Sequence, residues 1–134
     1  MKRFTVWEAN ELLPQLKEDL RKLQALIDEY EERMIELQRR KSAPALSRAA
    51  GRDADPFFEE EGRLDFMRME MRLLAENFRR KGVLLKMVNP GLIDFPAIIN
   101  GEEALICWKE GEERASHYHG WHDGFRGRKP LPEE

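Results

Sequence analysis

Cysteine is almost missing from this sequence: one residue, Cys107, in 134. An internal disulfide framework is therefore excluded, and a reducing compartment fits. Long apolar runs are missing too, since none reaches the roughly 20 residues that a membrane-spanning helix needs. Net charge is small, −3 with the signs interspersed, so no strong field draws the chain to nucleic acid or to an anionic membrane. There is no phosphate loop, no dinucleotide fingerprint, no Gly-x-Ser-x-Gly and no Glu-x-x-His pair on a helical segment, which removes the commonest nucleotide, hydrolase and di-iron readings. The opening Met1-Lys2-Arg3-Phe4-Thr5 leads into a helix signal rather than a secretory apolar segment, and a cytoplasmic protein is expected. The sequence names no reaction and no substrate, and leaves open whether the protein is an enzyme.

What is abundant is charge. Charged residues make up 37% of the chain and hydrophobic ones 41%, a balance that suits long amphipathic helices with solvated outer faces. Thr5-Val6-Trp7-Glu8 is a capping box that starts a helix at Val6. Pro14 predicts a kink or restart. Leu13, Leu16, Leu20, Leu23, Ile27, Tyr30, Met34 and Leu37 then follow at unbroken three-four spacing, the pattern of a heptad seam. The expected first element is a long kinked helix over 6–41. Residues 42–55 lose the period and read as a linker, long by the usual standard. Asp55-Pro56 predicts a second helix over 56–81, with Gly82 as its C-terminal cap. Its seam is Phe57, Leu64, Met67, Met71, Leu74 and Phe78, and Phe66, Met69 and Leu73 form a second stripe roughly 100° or more away. A helix that is apolar on two sides is covered on two sides, here by the C-terminal segment or by another subunit.

Residues 83–129 change character. Val83-Leu84-Leu85 predicts a short strand and Asn89-Pro90-Gly91 a tight turn. Leu92 to Ile99 and Glu102 to Lys109, joined by Asn100-Gly101, predict a hairpin with a two-residue type I′ turn. That turn sets Ile99 opposite Glu102, Ala97 opposite Ala104, Phe95 opposite Ile106 and Ile93 opposite Trp108. On the other face it sets Asp94 opposite Cys107. Pro96 cannot donate to a ladder, so its strand is expected at an edge or interrupted there. Arg114 to His119 is a further strand candidate before the glycine-rich end. The expected fold is α+β, one domain over 1–134: a long antiparallel helical hairpin, coiled-coil-like, capped by a small C-terminal antiparallel β-hairpin.

Several stretches resemble an uncharacterised prokaryotic family, the domain of unknown function 2203. They are Phe4-Thr5-Val6-Trp7-Glu8-Ala9-Asn10 with Leu12-Leu13-Pro14, Lys81-Gly82-Val83, Gly91-Leu92-Ile93-Asp94-Phe95-Pro96, Leu105-Ile106-Cys107-Trp108 with Gly111-Glu112, and Tyr118-His119 followed by Gly124-Phe125-Arg126-Gly127-Arg128. The resemblance implies no activity. It marks Asp94, Cys107, Trp108, Glu112, His119 and Arg128 as the polar or aromatic positions that match the family pattern. Tyr118 stands where that pattern has tryptophan, and the pattern does not require histidine at 117 or 122.

All three histidines, His117, His119 and His122, fall within six residues. His117 and His119 are two apart and share one side of an extended segment. With Asp94 and Glu112 as oxygen donors they make a candidate site for a divalent transition metal, Zn, Ni, Fe or Cu, centred on His119. Asp94 and Cys107 are a second pair, with Trp108 and Arg128 as further candidates. A carboxylate beside the cysteine disfavours thiolate and so argues against a nucleophile. Two helices alone leave their apolar stripes partly uncovered, so a homodimer through the helical seams is expected, with a protein partner as a further candidate and neither membrane nor nucleic acid. Two functions follow: a dimeric helical scaffold or partner-binding protein without catalysis, and alternatively a small metal-binding protein using the histidine cluster.

Overall fold

A computed structural model describes residues 1–43 and 55–132; the centre of the expected linker, 44–54, lies outside the described residues. The described residues form an α+β fold, with two helices followed by a five-stranded antiparallel sheet. The elements are α1 (Val6–Lys41), α2 (Phe58–Arg80), β1 (Leu84–Met87), β2 (Leu92–Ile99), β3 (Glu102–Lys109), β4 (His117–His119), a short 3₁₀ turn (Phe125–Gly127) and β5 (Lys129–Pro130).

Helix α1 starts where the capping box places it. The Glu8 amide donates to Thr5 Oγ1 and the Thr5 amide donates to Glu8 Oε1, each at 3.0 Å, so two donors at the helix start are satisfied reciprocally. The helix runs as one element through Pro14. Helix α2 begins two residues later than expected, at Phe58. Phe57 takes the N-cap position in place of the expected Asp55 and makes no side-chain capping bond; Asp55 Oδ1 accepts from the Phe57 amide at 2.9 Å, just ahead of the helix. The exit is a Schellman motif: Val83 N–H bonds the Phe78 carbonyl, Gly82 N–H bonds the Arg79 carbonyl, and Gly82 has φ +86°.

The two helices touch at both ends. Asp19 pairs with Lys81, Arg33 Nη1 lies 3.0 Å from Glu60 Oε1, and Lys41 Nζ lies 3.4 Å from Glu61 Oε1. The apolar seams divide between two clusters. Leu37, Phe57, Leu64 and Met67 pack together far from the sheet. Leu13, Leu16, Leu20 and Leu23 instead join Phe78, Val83, Ile93, Phe95, Ile106 and Trp108 in the main core. The first half of α1 therefore packs on the sheet, and its second half, among the described residues, packs on α2 and Phe57. Each fully buried leucine in that core contributes about 1.5–3 kcal/mol.

The expected β-hairpin is the centre of a larger sheet with strand order β1-β2-β3-β4-β5. Its register is the one that the Asn100-Gly101 turn dictates, with Asp94 opposite Cys107, Ile93 opposite Trp108 and Ile99 opposite Glu102. Asn100 at φ 54° and Gly101 at φ 80° supply the two positive dihedrals of a type I′ turn. β1 adds to one side with a bulge between Leu85 and Met87, and β4 and β5 add to the other. β2 is thus an inner strand. Pro96 is accommodated because β1 stops pairing at Asp94; beyond it the Pro96 carbonyl accepts from the Phe4 amide at 2.7 Å. A strand residue's nitrogen and carbonyl point the same way, so the missing donor faces away from β3 and no bond to that strand is lost.

Candidate functional site

The alternation of strand residues sorts the sheet into two faces. Ile93, Phe95, Ala97, Ile106 and Trp108 face the helices. Asp94, Cys107 and His119 face the other way, one each from β2, β3 and β4, and all three are buried. Their ligand atoms lie within 4.8 Å of one another. His119 Nε2 is 3.3 Å from both carboxylate oxygens of Asp94, and the Cys107 thiol lies near enough to the same carboxylate for each to act on the other's charge.

The second ring nitrogen sets the protonation pattern. His119 Nδ1 lies 2.9 Å from the Gly120 carbonyl, which can only accept, so Nδ1 carries the hydrogen. In the neutral ring Nε2 then presents a lone pair to the Asp94 carboxylate. Two acceptors at 3.3 Å repel unless a proton or a cation lies between them. Burial pushes the Asp94 carboxyl above its usual range, opposed by His119, the Cys107 thiol and Lys86. Burial pushes the Cys107 thiol up to about 12; Asp94 adds to this and Arg128 opposes it. The expectation that Asp94 disfavours thiolate stands, but desolvation is the larger cause. Both effects disfavour the thiolate form of Cys107.

A cavity of about 210 Å³ opens beside these residues, lined by Lys86, Leu92, Leu105, Trp121, Asp123 and Phe125 as well as by the three themselves. The segment after β4 forms its outer wall, so it covers the sheet face that the helices leave free.

Not every expected residue joins this group. His117, whose backbone pairs with Cys107, turns to Ser116 Oγ at 3.0 Å and reaches Glu112 Oε2 only at 4.0 Å. Glu112 is engaged elsewhere, accepting from the Lys109 amide at 2.8 Å through Oε1 and pairing with Arg128 Nη1 at 2.8 Å through Oε2. His122 is exposed in the turn after β4. Trp108 belongs to the helix-facing core, and its indole N–H donates to the Glu112 carbonyl at 2.8 Å. Arg128 lies over the Phe125 ring at 4.2 Å and near enough to Cys107 to act on its charge.

The family model described as uncharacterized conserved protein (DUF2203) matches residues 2–131. The chain belongs to this family. No curated protein and no solved structure matches it. Of the residues marked by the resemblance, Asp94, Cys107 and His119 lie together, Arg128 lies near Cys107 and pairs with Glu112, and Trp108 serves the opposite face.

A second feature lies on α2. Phe66, Met69 and Leu73 are 61%, 57% and 57% exposed, so the sheet does not cover the second stripe. Phe58 and Gly62 share its side of the helix, all five within about 80° at 100° per residue. Beside it a groove of about 440 Å³ runs between the helices, lined by Lys22, Leu26, Glu70, Leu73 and Leu74. No helix among the described residues is long and apolar enough to cross a membrane.

Proposed function

We propose that this chain is a dimeric helical scaffold without catalysis, in which the coiled-coil-like hairpin of α1 and α2 pairs with a second copy in the cytoplasm. The observation that carries this reading is the uncovered stripe Phe66, Met69 and Leu73. Exposed apolar residues scattered singly are ordinary, but a continuous stripe on one helix face beside a groove is the form of an interaction surface. Lys22 and Glu70 flank that groove on opposite helices. A two-fold contact is self-complementary, so each copy's lysine can meet the other's glutamate. The 23 residues of α2 make a rod of about 35 Å, long enough to contribute to an interface of about 800 Å² per partner. The acidic balance disfavours nucleic acid as the partner.

Sedimentation of tag-free protein at micromolar concentration tests this. A dimer is expected, and Phe66→Glu with Leu73→Glu should yield a folded monomer with unchanged helical circular dichroism. A wild-type monomer, or a dimer indifferent to both substitutions, overturns it.

A further inference from the structure

We propose that Asp94, Cys107 and His119 form a binding site for one divalent transition-metal ion of the zinc type, with a fourth position open to the cavity under Trp121 and Phe125. The inference is independent of assembly, since all three residues come from one chain and a monomer would carry the same site.

The donors are a carboxylate, a thiol and an imidazole, each on a different strand of one hydrogen-bonded ladder. Three adjacent strands hold them more rigidly than a loop would, which is what a preorganised site requires. Tetrahedral bonds of about 2.0 Å to nitrogen and oxygen place those two ligand atoms about 3.3 Å apart. The His119 Nε2 to Asp94 separation is 3.3 Å to either oxygen. The sulfur lies within 4.8 Å of both atoms, and tetrahedral bonds of about 2.3 Å to sulfur and about 2.0 Å to nitrogen or oxygen call for about 3.5 Å.

The histidine is already oriented for the task. Its Nδ1 hydrogen is held by the Gly120 carbonyl, the outer hydrogen bond that metal-bound imidazoles make, and it leaves Nε2 as the donor atom. The carboxylate facing that lone pair is the arrangement a cation relieves. Bound carboxylate and thiolate carry two negative charges, so a divalent ion leaves the buried group neutral and adds no net field to Lys86 and Arg128 nearby. Loading displaces the proton held between Asp94 and His119 and replaces the Cys107 thiol hydrogen, and both protons leave to bulk water as the bonds to the metal form. Mixed nitrogen, oxygen and sulfur donors select zinc-like ions over magnesium or calcium. Three protein ligands with the fourth position facing a cavity is the open arrangement that admits water or a small ligand.

The proposal differs from a histidine-cluster site in a testable way, because His122 and His117 are not ligands in it. The experiment uses tag-free, chelator-treated protein titrated with Co²⁺ as a coloured stand-in, followed by Zn²⁺ competition. The expected result is one Co²⁺ per chain, with tetrahedral ligand-field absorption and a thiolate charge-transfer band, both abolished by Zn²⁺. Cys107→Ser should remove the charge-transfer band, and Asp94→Asn should weaken affinity by about tenfold or more. His122→Ala should leave the titration unchanged. Circular dichroism of each metal-free variant checks that the fold is retained, and Cys107→Ser, near-isosteric, serves where Asp94→Asn destabilises. Wild-type protein that takes up no stoichiometric Co²⁺ overturns the site, leaving a proton shared between Asp94 and His119. So does a charge-transfer band that survives Cys107→Ser, or metal binding lost with His122.

Discussion

Gly91 closes the turn before β2, where its amide donates to Glu110 Oε1 and its carbonyl accepts from the Glu110 amide, both at 2.8 Å. A Cβ there would sit 2.3 Å from Leu20 Cδ2. Leu20 is a core residue of α1 with little room to turn. Gly91→Ala should therefore destabilise by about 1–3 kcal/mol, the range for overpacking. In a Leu20→Ala background the same change should cost almost nothing, since the colliding methyl is gone. Urea denaturation of the four members of this double-mutant cycle checks it. The sequence marks Gly91 as a turn residue through Asn89-Pro90-Gly91, but the collision is set by a contact between distant segments and leaves no local trace. Cys107 shows the same division. Its pairing with Asp94 follows from a two-residue turn and was legible. Its proximity to His119 was not, because Leu105 opposite His119 is a register that the connection 110–116 does not encode.

Elements whose signals are local came through with their boundaries nearly intact. The capping box fixes the start of α1, Gly82 the end of α2 and Asn100-Gly101 the central hairpin, each through a bond or dihedral formed within a few residues. What seam periodicity does not show is the partner. Leu13 and Leu37 lie on the same heptad stripe, yet one packs on the sheet and the other on α2. The contact between α1 and α2 nearest the sheet is the pair Asp19–Lys81, with Gln15 Nε2 also donating to Asp19 Oδ1 at 2.9 Å. Burial raises the Asp19 carboxyl, but the bonds from Lys81 and Gln15 outweigh it and hold the group below its usual 3.8. A carboxyl depressed in the folded state adds stability that is complete above the unfolded value and is lost as pH falls through the lower, folded value. Lys81→Met should thus cost about 1–2 kcal/mol at neutral pH. The difference from wild type should shrink steadily below about pH 4. Denaturation midpoints of both proteins across that range provide the measurement; a difference that stays constant into acid would assign the loss to lysine packing instead.

Across the whole molecule, helix and sheet are joined by polar bonds as well as by the core. Asn10, Lys17 and Gln24 are one heptad apart on α1 and so share one face. Each donates to a backbone carbonyl around the sheet: Asn10 to Ala115 at 3.1 Å, Lys17 to Glu113 at 2.9 Å and Gln24 to Val88 at 2.7 Å. Asn10 also accepts from the Ala115 amide at 2.8 Å, so one side chain satisfies both backbone groups of a fully buried residue. Ala115 comes just before β4, and the position of this tie helps decide where His119 meets Asp94. Asn10→Ala leaves an amide and a carbonyl unpaired in the interior, which should cost about 2–6 kcal/mol at about 1–3 for each stranded group. Because the first half of α1 and the helix-facing side of the sheet share one core, the loss should appear as a single shifted transition, with helical circular dichroism and tryptophan fluorescence losing the same midpoint. Separate midpoints would mean that the sheet unfolds from a helical pair that stands alone. In that case the buried aspartate, cysteine and histidine would depend on the strand ladder alone, with no support from the helices.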